Sequence, residues 1–191
     1  MRKKGSSKDE TRKQIIEAVG RGFRKNGVDG IGVDGLAKLA NVTSGAFYSH
    51  LGSKNKAFIV ALEKGLDEVI EGISSFKESN SDNWIEDFAR YYLSVDHQKN
   101  FECGCAMATL TSDVTRFGPD VQKIYEHKMD IIAESVSQSI KSNNNESSKA
   151  KAWAFLSILI GGLNIVRAIN DKKLREQIAE SVIVSAINTI I

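Results

Sequence analysis

The chain of 191 residues has few of the residues that interrupt helices or cross-link a fold. It has one proline, Pro119, and two cysteines, Cys103 and Cys105. With a single proline, few helices need be interrupted. Two cysteines that lie two positions apart on a helix point to different faces, so we do not expect a disulfide between them. A reducing compartment is the simpler interpretation.

Long apolar runs and catalytic constellations are also missing. No apolar stretch reaches the roughly 18 residues of a membrane span, and no apolar signal core follows the basic start, so we expect a cytoplasmic protein. The three histidines form no Ser-His-Asp or Cys-His arrangement at a suggestive spacing, which argues against an enzyme. His97 and the two cysteines lack a fourth metal ligand. We therefore expect neither a metal nor a cofactor.

Apolar residues recur with helical spacing along most of the chain, and no strand-like alternation is sustained. The pattern predicts an all-α fold. The predicted helices cover residues 8–26, 33–40, 43–51, 54–76, 83–98, 103–117, 120–141, 147–170 and 172–190. The first three would form a DNA-binding domain at 1–53, and the others a regulatory domain at 54–191.

Charge divides the chain into two unequal parts. Residues 1–60 contain 12 Lys and Arg against five Asp and Glu, a formal charge of +7. Because the whole chain carries +2, residues 61–191 carry −5. This split indicates a basic end that meets a polyanion. A solvated basic surface remains the alternative.

The segment NVTSGAFYSHL, residues 41–51, predicts the second helix of a helix-turn-helix unit. Such a helix must be short and exposed on one side to enter the major groove. Phe47 and Leu51 would face the core, as would Val42. The outward residues would be Thr43, Ser44, Gly45, Ala46, Ser49 and His50. The Tyr48 hydroxyl and the Lys54 ammonium are natural phosphate contacts.

The stretch GVDGLAKLANVTSGAFYSHLGSKNKAF, residues 32–58, resembles the helix-turn-helix signature of the TetR family of bacterial transcriptional regulators. The matching positions are Leu36-Ala37, Val42, Ser44-Gly45, Phe47-Tyr48, His50 and Ser53-Lys54. The resemblance implies a DNA-binding site of Lys38, Thr43, Ser44, Gly45, Ala46, Tyr48, His50 and Lys54. It also implies an all-helical regulatory domain after the DNA-binding domain.

Some of these residues have simpler interpretations, and the motif departs from the family pattern. Tyr48 could pack its ring, His50 could cap the end of its helix, and Lys38 could be a solvated charge. Gly32 stands where the family usually has Thr or Ser. No Arg, Lys, Asn or Gln in the recognition helix offers bidentate base contacts, so specificity would rest on Ser44, His50, DNA shape or the basic arm at residues 2–4.

The second half of the chain has the composition of a small-molecule pocket, with apolar walls and a few polar groups. The predicted ligand-binding residues are Phe101, Cys105, Met107, Leu110, Tyr125, Met129, Trp153, Leu156 and Asn164. For any one of them a plain helical core is the alternative. The stretch FECGCAMATLTSDVTR also resembles a segment in one subgroup of these regulators, which implies a thiol sensor at Cys105. A helix N-terminus would lower the pKa of the Cys105 thiol and so favour the reactive thiolate. The alternative is that Cys105 is only a small apolar residue packed at the start of a helix.

The last two predicted helices are apolar enough to need a partner, and Gly161-Gly162 would allow close helix approach. We expect a four-helix bundle between two chains, which would present two recognition helices to a near-palindromic operator. The leading hypothesis is therefore a homodimeric repressor that a small-molecule effector releases from double-stranded DNA. The alternatives are a co-regulator that acts through a protein partner with weak DNA reading, and the thiol sensor.

Overall fold

The computed structural model describes residues 8–80, 82–102, 104–140 and 145–190, and within these ranges it contains eleven helices and no strand. This confirms the predicted all-α fold. The helices are α1 (Lys8–Asn26), α2 (Val33–Leu39), α3 (Ser44–Leu51), α4 (Lys54–Ser79), α5 (Trp84–Tyr92), α6 (Val95–Lys99), α7 (Ala106–Thr109), α8 (Thr111–Phe117), α9 (Pro119–Ser137), α10 (Asn145–Ala168) and α11 (Lys172–Ile190).

Helices α1 to α3 form a small three-helix head. The apolar stripe of α1 places Ile15, Val19 and Phe23 in its core, all at 0% exposure. Helix α1 ends at Gly27, whose φ of +70° suits a glycine and whose N–H donates to the Phe23 carbonyl at 2.8 Å. Asn41, with φ of +55°, makes the turn between α2 and α3. The turn is therefore tight enough to hold the two short helices together.

Helix α4 connects the head to the rest of the molecule. Ser53 caps its start by accepting the Lys56 N–H at 3.1 Å, and the helix continues to Ser79, three residues beyond the predicted end. Its buried face packs against α1 and against α9. The proposed boundary between residues 53 and 54 therefore coincides with the start of the longest helix, which touches both parts of the chain. The boundary itself stays a prediction.

Two of the segments that were predicted to be single helices each form two shorter helices, so these two predictions are wrong. The segment 83–98 forms α5 and α6, because Ser94 begins a new helix by accepting the His97 N–H at 3.3 Å. The segment 103–117 forms α7 and α8, which meet at Leu110, a residue that is fully buried between them. Cys103 and residue 141 lie outside the described residues.

Helix α10 forms the centre of the C-terminal bundle and packs against α9 and α11. Phe155, Leu159 and Leu163 are buried along it. By length and composition alone, Ser147–Ala168 could cross a membrane, and 39% of its most apolar window is buried in the fold. Its packing is that of a core helix.

Candidate functional site

The surface of α3 is divided between the core and the solvent. Phe47 is fully buried and Leu51 is 5% exposed, whereas Tyr48 is 51% exposed. The Phe47 and Tyr48 rings meet edge to face with centroids 5.8 Å apart. The outward residues predicted from the sequence lie on the exposed side or at its margin: Thr43, Ser44, Gly45, Ala46, Ser49 and His50. The structure thus gathers these small residues and the Tyr48 hydroxyl on one convex surface.

Two hydroxyl groups at the start of α3 already have partners. Thr43 caps the helix by accepting the Ala46 N–H at 3.1 Å. Ser44 donates to the Asp34 carboxylate on α2 at 2.6 Å, an interaction that the sequence does not reveal. Asp34 lies ten positions earlier, so no helical periodicity links it to Ser44. Ser44 must leave Asp34, or share its hydroxyl, before it can contact DNA.

Glycine leaves the backbone of this surface open. A Cβ atom at Gly45 would find only Thr43 Oγ1, at 3.9 Å, so packing does not require the glycine there. Gly32 begins α2 without a side-chain cap. Gly35 differs, because a Cβ atom would lie 2.9 Å from Ile31 Cγ1. Gly35 therefore allows α2 to approach its own entry loop.

Positive charge flanks α3 on both sides. Lys38 on α2 is exposed, and Lys54 begins α4 beside a first turn that contains no acid. An acidic side chain normally stabilises the N-terminus of a helix. The first turn of α4 contains Lys54 and Lys56 instead, so its free N–H groups remain available to an external anion. Nδ1 of His50 is buried without a hydrogen-bond partner among the described residues. The basic arm at residues 2–4 lies outside the described residues.

A cavity of about 260 Å³ lies in the regulatory half, between α4, α5, α6 and the start of α7. Four aromatic side chains line it: Phe76, Phe88, Tyr91 and Tyr92. Gly65, Gly72 and Gly104 supply flat backbone to its wall, and His97 and Cys105 supply polar atoms. Apolar walls with a few polar groups are the usual composition of a small-molecule site.

The polar groups of the cavity are strongly perturbed by burial. Burial and the nearby Arg167 lower the pKa of His97 to about 4, against an opposing effect of the Tyr91 and Tyr92 carbonyls. Burial also raises the pKa of Tyr92 well above its usual value. His97 and Tyr92 are therefore both neutral near pH 7.

Cys105 is half-buried in the same wall, beside the Tyr92 hydroxyl. Burial raises the pKa of its thiol, although Tyr92 and Arg167 act in the opposite direction. Helix α7 has only four residues, so its start provides little dipole to favour a thiolate. The unreacted thiol is thus less nucleophilic than the sequence predicts.

Most of the residues predicted to bind a ligand lie elsewhere. Of the nine, Cys105 lines the cavity. Four are buried in the core between helices: Met107, Leu110, Met129 and Leu156. Phe101, Trp153 and Asn164 are exposed, and the half-buried Tyr125 has its hydroxyl 2.8 Å from Thr111 Oγ1. The structure therefore does not bring the nine together, and their role in binding stays a prediction.

Within the described residues, no group of three or more His, Cys, Asp or Glu side chains is arranged to hold a metal ion.

Comparisons with known proteins give a partial sequence match and a match over the whole fold. No protein-family model matches the chain. It is 43% identical over 74 residues to the HTH-type transcriptional regulator TtgR of Pseudomonas putida, and this match covers 38% of the chain but only 34% of that protein.

Two solved structures match nearly the full length. A TetR-family transcriptional regulator from Cytophaga hutchinsonii superposes with a TM-score of 0.79 at 17% identity, over 97% of this chain and 98% of that one. The reduced form of NemR from Escherichia coli superposes with a TM-score of 0.78 at 17% identity, over 95% and 98%. At identities this low, the superpositions establish the fold alone.

The chain is thus an all-helical protein with a helix-turn-helix head and a larger helical body. It has the fold of TetR-family transcriptional regulators, as the resemblance of residues 32–58 indicates.

Proposed function

We propose that the chain is a cytoplasmic, homodimeric transcriptional regulator, in the simplest case a repressor, that binds a near-palindromic operator and is released by a small molecule. The observation that carries the proposal is the exposed surface of α3. Its small residues and Tyr48 project from a helix whose other side is anchored by the buried Phe47. The partial identity to TtgR, named as a transcriptional regulator, supports the same function.

The outer surface of α10 and α11 supports dimerisation. Trp153 and Ile165 on α10 are exposed, as are Leu174 and Val184 on α11. A Cβ atom at Gly161 would meet nothing within 4 Å, so this glycine lies on the open side of α10. At Gly162 a Cβ atom would collide with Val182 on α11, so that glycine serves packing within the chain. A second copy placed on the Gly161 side would bury the apolar side chains in a four-helix bundle.

The cavity can influence the head through the segment that joins α6 to α7. Arg24 on α1 donates to the Glu102 carbonyl at 2.8 Å, and Lys25 pairs with the Glu102 carboxylate at 2.5 Å. Two residues later the same segment forms the cavity wall at Gly104 and Cys105. A ligand that displaces this wall therefore moves a direct attachment point of α1. It releases DNA if it binds the displaced arrangement more tightly.

A second attachment lies deeper in the same region. The buried carboxylate of Asp113 on α8 accepts the Val28 N–H at 3.3 Å, just beyond the end of α1. Besides the packing of α4 against α1, the head is therefore attached to the body by two polar contacts near the C-terminal end of α1. Such attachments would turn a small shift of α7 and α8 into a rotation of the head.

Selection of duplexes from a random pool tests this function. The wild-type protein should enrich a near-palindromic sequence whose half-sites are separated by whole helical turns. The combined Tyr48→Ala and Lys54→Ala variant should enrich it weakly or not at all. Lys64→Ala is the matched control, because Lys64 lies further along α4 and pairs with Glu68 at 3.4 Å. Equal enrichment by the double variant and the control would count against α3 as the DNA-binding element.

A thiol sensor at Cys105 is the second candidate function. Two observations favour it: the position of Cys105 in the cavity wall, and the fold shared with NemR, whose structure is described as a reduced form. The raised pKa of the thiol makes it a slow sensor, because little of the thiol is in the reactive thiolate form near pH 7. Loss of oxidant-induced DNA release in Cys105→Ser, with unchanged release by a cavity ligand, would identify it.

A further inference from the structure

The polar end of the cavity contains two buried side chains with unsatisfied polar atoms. Tyr92 is 1% exposed and His97 is 8% exposed, and both line the cavity. Within the described residues, neither Tyr92 Oη nor His97 Nδ1 makes a hydrogen bond of ordinary geometry. Their nearest polar neighbours are the Cys105 thiol beside the phenol and the Tyr91 and Tyr92 carbonyls beside the imidazole, and these satisfy the two donors poorly. Buried polar groups are nearly always satisfied by protein, water or ligand, so two at one place indicate a missing partner.

The hydrogen bonds of the imidazole ring define what that partner must be. The Cys105 backbone N–H donates to His97 Nε2 at 3.3 Å, so Nε2 must hold a lone pair. In a neutral imidazole the proton is then on Nδ1, which makes Nδ1 a donor. The phenol of Tyr92 is also a donor. The missing partner is therefore a hydrogen-bond acceptor.

Arg167 adds a positive charge next to His97, although it does not itself line the cavity. Its Nη2 donates to the His97 carbonyl at 2.9 Å and its Nε to the Gln98 carbonyl at 3.2 Å. The guanidinium lies over the Phe101 ring, 4.7 Å from the centroid. Nη1 is buried without a hydrogen-bond partner, and no ion pair joins Arg167 to a carboxylate in the described part of the chain. A partly buried cation of this kind favours an anion nearby.

The remaining wall is aromatic. The rings of Phe76 and Phe88 meet edge to face at 5.6 Å, and the rings of Phe76 and Tyr91 are tilted at 5.4 Å. Ring edges and faces of this kind pack well against another aromatic ring. Among the described lining residues the one carboxylate is Glu68, which already pairs with Arg24 at 3.5 Å and Lys64 at 3.4 Å. Its charge is thus largely compensated.

We propose that the cavity binds a small aromatic carboxylate. The carboxylate accepts from Tyr92 Oη and His97 Nδ1 in the field of Arg167, and the ring packs against Phe76, Phe88 and Tyr91. This inference rests on the proposed function, in that it identifies the chemical class of the effector.

Calorimetric titration of the full-length protein with three compounds of one shape tests the proposal. The probes are 2-naphthoate, the neutral 2-naphthamide and the cationic 2-naphthamidine. Because hydrogen bonds to a charged group contribute more than those to a neutral one, naphthoate should bind about tenfold to a hundredfold more tightly than naphthamide. Naphthamidine should bind most weakly, since it brings a second cation to Arg167.

Variants separate the proposed hydrogen bonds from general effects on the fold. Tyr92→Phe keeps the ring and removes the donor, so naphthoate should weaken about tenfold or more while naphthamide changes less. Ser79→Ala is the control for loss of a hydroxyl group, because Ser79 is exposed outside the cavity and donates only to the Ser75 carbonyl within α4, and it should leave the preference unchanged. Arg167→Gln should lower the preference for naphthoate. Arg167→Lys keeps the charge and should restore part of the preference for naphthoate over naphthamide, whereas loss of a purely structural cap on α6 would change the affinity of both probes equally.

Three outcomes would overturn the inference: equal or tighter binding of naphthamide, naphthoate affinity that survives Tyr92→Phe, or no binding of any probe. DNA binding by the ligand-free protein is measured in parallel. Sequence-specific DNA binding together with any of these three outcomes would refute the carboxylate site and leave the regulator intact. Naphthoate binding without DNA binding would refute the regulator alone.

Discussion

The buried histidine of the cavity predicts a specific loss of stability in acid. The pKa of His97 falls from 6.5 in the unfolded chain to about 4 in the folded protein. Between these values the unfolded chain takes up a proton that the native state excludes. The stabilisation is therefore present above pH 6.5 and is lost as the pH falls towards 4. Lowering the pH from 7.5 to 5 should remove about 2 kcal/mol of unfolding free energy through this one group.

The assay is urea unfolding at a series of pH values and at one protein concentration, comparing the wild type with His97→Gln. The Gln carbonyl can still accept the Cys105 N–H, so the fold keeps that bond. Acidic residues also titrate in this range, but they do so equally in both proteins. The difference in unfolding free energy between the two should thus shrink by about 2 kcal/mol from pH 7.5 to pH 5. His127→Gln, on the exposed side of α9, is the matched control for replacing a histidine by glutamine.

A constant difference across that range would refute the reasoning, because it would mean that His97 has a similar pKa in the folded and unfolded states. The imidazole would then be solvated or paired, and the cavity would not be a dry, donor-lined site.

Three further predictions concern the head and the dimer. Phe47→Ala should cost about 3–5 kcal/mol of unfolding free energy, measured by thermal or urea unfolding, because Phe47 is fully buried. A smaller loss would mean that the neighbouring side chains collapse into the space left by the ring. Lys54→Ala should reduce the salt dependence of DNA binding by about 0.9 in the log–log slope if the Lys54 ammonium neutralises one phosphate, whereas a slope equal to that of Lys64→Ala would contradict that role. Gly161→Glu should shift the protein towards monomer in sedimentation velocity without unfolding it, because its Cβ points to open space. A dimer as stable as wild type would place the interface elsewhere.

Much of the head could be predicted from sequence because its signals are local. Helical spacing gave α1 its observed bounds, and the hydroxyls of Thr43 and Ser53 marked the starts of α3 and α4. The Ser44–Asp34 hydrogen bond could not be predicted, since it joins two helices whose crossing is fixed by packing.

The cavity could largely not be predicted from the sequence, because it depends on tertiary packing rather than on local signals. Periodicity tells which side chains are apolar, but not where packing leaves a gap. Met107 and Leu156, both expected to bind a ligand, are buried in the core, and their role in binding stays a prediction. Polar residues would have been better indicators of the cavity than apolar ones. His97 and Arg167 each have a buried nitrogen without a hydrogen-bond partner among the described residues, and such groups often mark a binding site. The break at Ser94, which places His97 in a separate short helix, is not visible in the helical spacing.

The proposed function depends on sequence-specific DNA binding by the surface of α3. The most direct measurement is the affinity of the purified protein for the duplex upstream of its own gene, compared with a scrambled duplex of equal length across a salt series. If α3 contacts specific bases, the protein should prefer the upstream duplex, and this preference should persist at about 150 mM salt, where non-specific binding is weak. Equal affinity for both duplexes, falling together as salt rises, would contradict it and favour a co-regulator that acts through a protein partner.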